Sequence, residues 1–122
     1  MTTTEPIILA VVGSRGWTNQ AALFSVLDQW VGEHGRPATI VSGGAKGADM
    51  LASYYAAARR IPFREFPADW TQHGCAAGPI RNREMLAAAT HVVAFCRGDT
   101  PGTRNSISVA EDRGLPLVVV KG

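Results

Sequence analysis

With 122 residues, 46% of them hydrophobic and 18% charged, the chain is sized to bury one core without disulfides or metal. A net charge of +2 is too small for a general nucleic-acid coat. Ten of the twelve basic residues are Arg, which suits bidentate recognition of phosphate or carboxylate, so their placement matters more than their sum.

Met1-Thr2-Thr3-Thr4-Glu5-Pro6 has no basic start and no signal-type apolar core, and Ile7–Val12 is far too short to cross a bilayer. The expectation is a soluble, cytoplasmic protein without membrane contact. Ile7–Val12 is a continuous apolar run ending at Gly13, the pattern of a strand buried on both faces. Thr18 or Asn19 can cap a helix that runs to about Glu33 and is closed by Gly35. Ala38–Val41 reads as a second strand and Ala48–Arg60 as a second helix. Ile61–Phe66 alternates behind a proline, which predicts an edge strand. Pro67–Gly78 reads as a loop, and Pro79 as the first residue of a helix reaching Ala89. His91–Cys96 is a buried strand, Arg97–Gly102 a loop, Thr103–Arg113 a short helix stopped by Gly114, and Leu117–Val120 a last strand. Cys75 and Cys96 lack metal-type spacing and suggest a reducing compartment.

Alternating strands and helices with short connections predict a single α/β domain over residues 1–122. Its architecture is a Rossmann-like three-layer sandwich with a mainly parallel five-stranded sheet. Ligands of such sheets bind beyond the carboxyl ends of the strands, where strand order reverses. Four loops fall there: Gly13–Trp17, Ser42–Gly47, Pro67–Trp70 and Arg97–Thr103. They are rich in Gly, Arg, Trp and Asp, whereas the opposite edge carries plain turns.

No G-x-x-x-x-G-K-[ST] is present, which argues against P-loop phosphoryl transfer, and the first turn lacks G-x-G-x-x-G, so NAD is not indicated. His34, His73 and His91 are scattered, and no metal site or cofactor is expected. The strongest local signal is Thr39–Ala52, in which a β-branched run breaks at Gly43 and Gly44 and resumes with helical spacing. A strand that enters a helix through glycines concentrates backbone N–H groups and the positive end of the helix, the makings of an anion site. Ser42 and Gly47 frame that turn, and Lys46 adds a cation to it. Asp49 can accept a ribose hydroxyl, or simply complement the helix dipole. Gly13, Ser14, Arg15 and Trp17 offer a turn, a hydroxyl, a guanidinium and an indole, although Trp17 could equally pack as a hydrophobic staple. Arg81 and Asn82 lie in the first turn of the Pro79 helix, while Arg83 and Glu84 read as a solvated pair. Gly102 and Thr103 form a second anion-capable helix start. Asp69 and Trp70 complete the candidate site, with Trp70 or Trp17 available to stack on a base.

Gly13-Ser14-Arg15, Ser42–Asp49, Ala77–Met85 and Gly102–Ser106 occur in the order seen in the SLOG superfamily, which the chain resembles over nearly its whole length. That superfamily of Rossmann-like proteins includes Lonely Guy phosphoribohydrolases, the DNA-processing protein A family and YspA-like proteins. The chain is most similar to the small YspA-like branch. The resemblance to DNA-processing protein A implies single-stranded DNA as an alternative ligand. The resemblance to Lonely Guy enzymes implies cleavage of nucleoside monophosphates at the N-glycosidic bond by an Arg and a Glu. Arg81 matches that Arg, but the Glu position falls on Ser106, which carries no carboxylate to stabilise developing positive charge. Asp69, Asp99 or Glu84 would have to replace it. The expectation is therefore binding of a nucleotide or nucleotide-derived ligand without chemistry. A nucleotide N-glycosidic hydrolase is the enzymatic alternative. The superfamily's habit of dimerising through helices implies a homo-oligomer, for which Tyr54 and Tyr55 on the Ala-rich second helix are the candidate contacts.

Overall fold

The computed structural model describes residues 5–98 and 101–122. Five strands form one sheet in the order β3-β2-β1-β4-β5, and every pairing is parallel. They are β1 (Ile8–Gly13), β2 (Thr39–Ser42), β3 (Phe63–Glu65), β4 (His91–Cys96) and β5 (Leu117–Lys121). The helices are α1 (Gln20–His34), α2 (Ala48–Arg59), α3 (Trp70–His73), α4 (Ala77–Ala88) and α5 (Pro101–Asp112), with a single 3-10 turn at Gly74–Ala76. The sheet is thus wholly parallel, which is the Rossmann-like α/β fold expected.

The apolar runs dictate two cores. Leu9 and Val11 of β1 face one side with Leu23, Leu27, Trp30 and Tyr55 of α1 and α2. Ala10 and Val12 face the other side with Met85 and Leu86 of α4 and Ala110 of α5. Right-handed crossovers place α1 and α2 on one face and α4 and α5 on the other, because strand order reverses between β1 and β4. Asn19 caps α1, its Oδ1 accepting from the Ala22 N–H at 3.0 Å. Gly35 closes the helix, its N–H donating to the Val31 carbonyl at 2.8 Å.

Two boundaries differ from expectation. The segment after β3 is not all loop: Asp69 caps α3 by accepting from the Gln72 N–H at 3.0 Å. A continuous turn then runs through Gly74–Ala76 into α4, so Pro79 occupies the third helical position instead of the first. The missing N–H of a proline costs nothing anywhere in that first turn. Likewise α5 begins at Pro101, which puts Gly102 and Thr103 inside its first turn. Among the described residues no helix is long and apolar enough to cross a membrane. Tyr55 does not present an outer face of α2. It is 1% exposed and its hydroxyl donates to Asp28 Oδ1 at 2.8 Å, so Tyr54 and Met50 are the large apolar residues left on the outside.

Candidate nucleotide site

Three chain turns meet above the point of strand reversal. Ser14, at the end of β1, is buried and ties them together. Its N–H donates to the Phe95 carbonyl at 2.9 Å, its Oγ accepts from the Arg97 N–H at 2.9 Å, and its carbonyl accepts from Trp17 and Ala48. Gly47 lies against that carbonyl, with φ of 78°; a Cβ there would come within 2.4 Å of the Ser14 oxygen. The β1–α1 and β2–α2 turns can nest only because this position is glycine.

The β2–α2 loop is held from within by Asp49, the second residue of α2. Asp49 Oδ2 accepts from the Ala45 N–H at 3.2 Å, and the side chain is 7% exposed. Burial pushes its pKa up to about 6, against the Ala45 amide and the positive charges of Arg81 and Arg15, which pull it down. From the opposite face, Arg81 of α4 reaches over the loop. Its guanidinium donates to the Gly43 carbonyl at 2.7 Å and the Phe66 carbonyl at 3.3 Å, and its Nε to Asn82 Oδ1 at 3.0 Å. Asn82 in turn donates to Asn105 Oδ1 at 3.0 Å, which fixes α4 against α5. A Cβ on Gly43 would sit 2.5 Å from the guanidinium, so glycine there lets Arg81 lie on the main chain.

These parts enclose a cavity of about 370 Å³, within the usual size of small-molecule sites. Of the residues singled out in the sequence, Gly13, Arg15, Gly43, Asp49, Arg81, Asn82, Gly102 and Thr103 line it. A second compartment of about 230 Å³ adjoins it, with Gly44 and Trp70 in its wall. The two share Arg15, Gly43, Ala45 and Arg81, so both arginines stand on the divide between them. Trp70 is 54% exposed there.

The other candidates lie outside both compartments. Ser42 is buried, and its hydroxyl donates to the Val11 carbonyl at 2.9 Å. Lys46 is exposed beside the loop, and Gly47 faces the β1–α1 turn. Asp69 is occupied as the cap of α3. Trp17 is 4% exposed, packs edge-on against Phe95 with centroids 5.2 Å apart, and donates from Nε1 to the Asn19 carbonyl at 3.0 Å. Its ring is a core element that no base can reach without opening the domain.

Ser106 lines the main cavity at the position where the Lonely Guy resemblance places a Glu. Neither Asp69 nor Glu84 lines either compartment, and Asp99 lies outside the described residues. Two carboxylates do face this space: Asp49 in the main cavity and Glu65 in the second compartment. Glu65, Ser106 and Met85 were not among the predicted site residues. For Glu65 the signal was present, since it ends a parallel strand on the side where such sheets bind ligands. Among the described residues no group of three or more His, Cys, Asp or Glu side chains is placed to hold a metal ion.

The family model for the YspA, cpYpsA-related SLOG family (YAcAr) matches residues 7–73. The chain is 34% identical over 114 residues to the Gene 61 protein of Mycobacterium phage D29, covering 88% of this chain and 91% of that protein. Its fold is similar to DNA processing protein A from Helicobacter pylori, a protein solved for its single-stranded DNA binding mode. That match has a TM-score of 0.72 at 20% identity, over 93% of this chain and 65% of that one. It is also similar to DNA processing protein A from Streptococcus pneumoniae, with a TM-score of 0.59 at 16% identity, over 94% and 59% of the two chains. The chain thus spans less than two thirds of either DNA processing protein, and at these identities the likeness is one of fold.

Proposed function

The chain belongs to the YspA, cpYpsA-related SLOG family, and on that premise we propose that it binds a nucleotide or nucleotide-derived small molecule at the strand-reversal cavity. The observation that carries this reading is the convergence of Arg15 and Arg81 with the Gly43 loop and the first turn of α5 around one cavity. Two guanidinium groups and a helix N-terminus supply what a phosphate needs: bidentate donors and oriented N–H groups. Asp49 takes a ribose hydroxyl as acceptor, and Trp70 stacks on the base.

Binding without turnover is the better-supported form of this reading. Ser106 supplies no carboxylate, neither Asp69 nor Glu84 lines the cavity, and the carboxylate that does, Asp49, is engaged by the Ala45 N–H of its own loop. Mass spectrometry of small molecules released from the purified, denatured protein, with a thermal-shift panel of nucleotides, tests it. A bound nucleotide stabilises the fold by mass action. Absence of both a co-purifying nucleotide and any thermal shift would overturn the reading. Release of free base from nucleoside monophosphates, lost in Arg81→Ala, would replace it with the hydrolase alternative.

A second reading is single-stranded DNA. It is favoured by the joining of the two compartments across Arg15 and Arg81 and by the DNA-binding Helicobacter pylori protein of similar fold. Oligonucleotide affinity falling steeply with salt would support it, and salt-insensitive or absent binding at micromolar protein would remove it.

A further inference from the structure

We infer that Glu65 makes the second compartment a base-selecting subsite, one that favours guanine. This rests on the nucleotide reading above and adds the identity of the base to it. Glu65 closes β3, paired in register with Ser42, so its side chain stands at the carboxyl end of the sheet beside the glycine loop. The carboxylate lies directly over Gly44: a Cβ on that residue would come within 2.4 Å of Glu65 Cδ. Among the described residues the carboxylate takes part in no hydrogen bond or ion pair, so both oxygens are available to a ligand. Trp70 forms another wall of the same compartment, and Arg15 and Arg81 stand at its border with the main cavity.

The chemistry follows from that arrangement. The indole offers a flat face to an aromatic ring, and the arginines keep the phosphate on the far side of the divide. A carboxylate is an acceptor-only group with two parallel oxygens, so it rewards an edge that presents two adjacent donors. Guanine does so through N1–H and the exocyclic N2 amine. Hypoxanthine has N1–H alone, and uracil flanks its N3–H with two carbonyls that repel a carboxylate. Glu65 is therefore a specificity residue, separable from the phosphate contacts.

Quenching of tryptophan fluorescence reads this directly, because Trp17 and Trp30 are each 4% exposed whereas Trp70 is 54% exposed. Titration with GMP, IMP and inorganic pyrophosphate, the last followed by competition or calorimetry, is the experiment. GMP is expected to bind about tenfold more tightly than IMP, from one additional hydrogen bond to a charged acceptor. Glu65→Gln should bring that ratio below twofold while pyrophosphate still binds. Trp70→Ala, which lacks the reporting indole and is therefore titrated by calorimetry, should weaken both nucleotides and leave their ratio intact. Equal binding of GMP and IMP by the unaltered protein, or an unchanged ratio in Glu65→Gln, overturns the inference and leaves nucleotide binding standing. If none of the three ligands binds, this inference falls, and the nucleotide reading stands or falls on the co-purification and thermal-shift panel above.

Discussion

Replacing Asp49 by Asn should stabilise the protein at neutral pH and leave it unchanged in acid. The carboxylate is 7% exposed, and burial raises its pKa from 3.8 to about 6. By linkage, a group whose folded pKa is raised contributes its full share of stability below the unfolded pKa and loses it as pH climbs through the folded one. At 1.36 kcal/mol per pK unit, the penalty for holding the ionised form at pH 7.5 is on the order of 3 kcal/mol. Asn keeps an oxygen to accept the Ala45 N–H and carries no charge, so it escapes the penalty. Denaturant titrations of both proteins at intervals from pH 4 to pH 8 should give curves that coincide near pH 4. They should separate with Asp49→Asn the more stable, by up to about 3 kcal/mol or roughly 10 °C in Tm for a domain of this size. Other titrating groups are common to both proteins and cancel in the difference. A difference that does not grow with pH, or an Asn variant that is less stable at pH 7.5, would refute the account of Asp49 as a buried, desolvated carboxylate.

Arg81→Ala should cost about 1–3 kcal/mol, since it orphans the Gly43 carbonyl under a partly closed cavity, and should weaken nucleotide binding by at least about tenfold. Thermal denaturation and ligand titration on the same samples measure the two effects. Gly47→Ala should lose at least about 2 kcal/mol, because its φ of 78° disfavours a side chain and a Cβ would strike the Ser14 carbonyl at 2.4 Å; chemical denaturation checks it. Trp17→Ala should lose about 3–5 kcal/mol as a core truncation. Trp17→Phe should retain nucleotide affinity, since the ring stands outside both compartments. Loss of binding in a folded Trp17→Phe protein would restore a ligand role for that residue.

The sequence by itself determined the order of elements, the parallel sheet and the edge that carries the candidate site. These follow from local and short-range rules: apolar runs of strand length, caps at Asn19 and Gly35, and glycines where strand turns to helix. The His91–Cys96 strand was legible to the residue, because an apolar run of strand length, rich in β-branched and aromatic residues, ends there at Arg97 and Gly98. The short helix at Trp70–His73 was not, since one turn capped by Asp69 leaves no periodicity to read.

Within the glycine loops, sequence could name residue types but not the direction of their side chains. Ser14, Ser42 and Trp17 looked like ligand contacts because they sit beside Gly13 and Gly43. Only the packed molecule turns them inward, where buried polar groups must be satisfied and a large ring must fill space. Trp70, an equally plain tryptophan in the chain, is left outside on a wall of the second compartment. Arg81 and Gly43 stand 38 residues apart, and their contact exists because the crossover from β3 to β4 carries α4 over the sheet. Glu65 joins the same site through the pairing of β3 with β2. Proximity between distant segments is set by strand order and register, which no local pattern encodes. The glycines, Arg15 and Arg81 pointed to an anion site in the sequence; tertiary packing decided which tryptophan and which carboxylates line the cavity beside them.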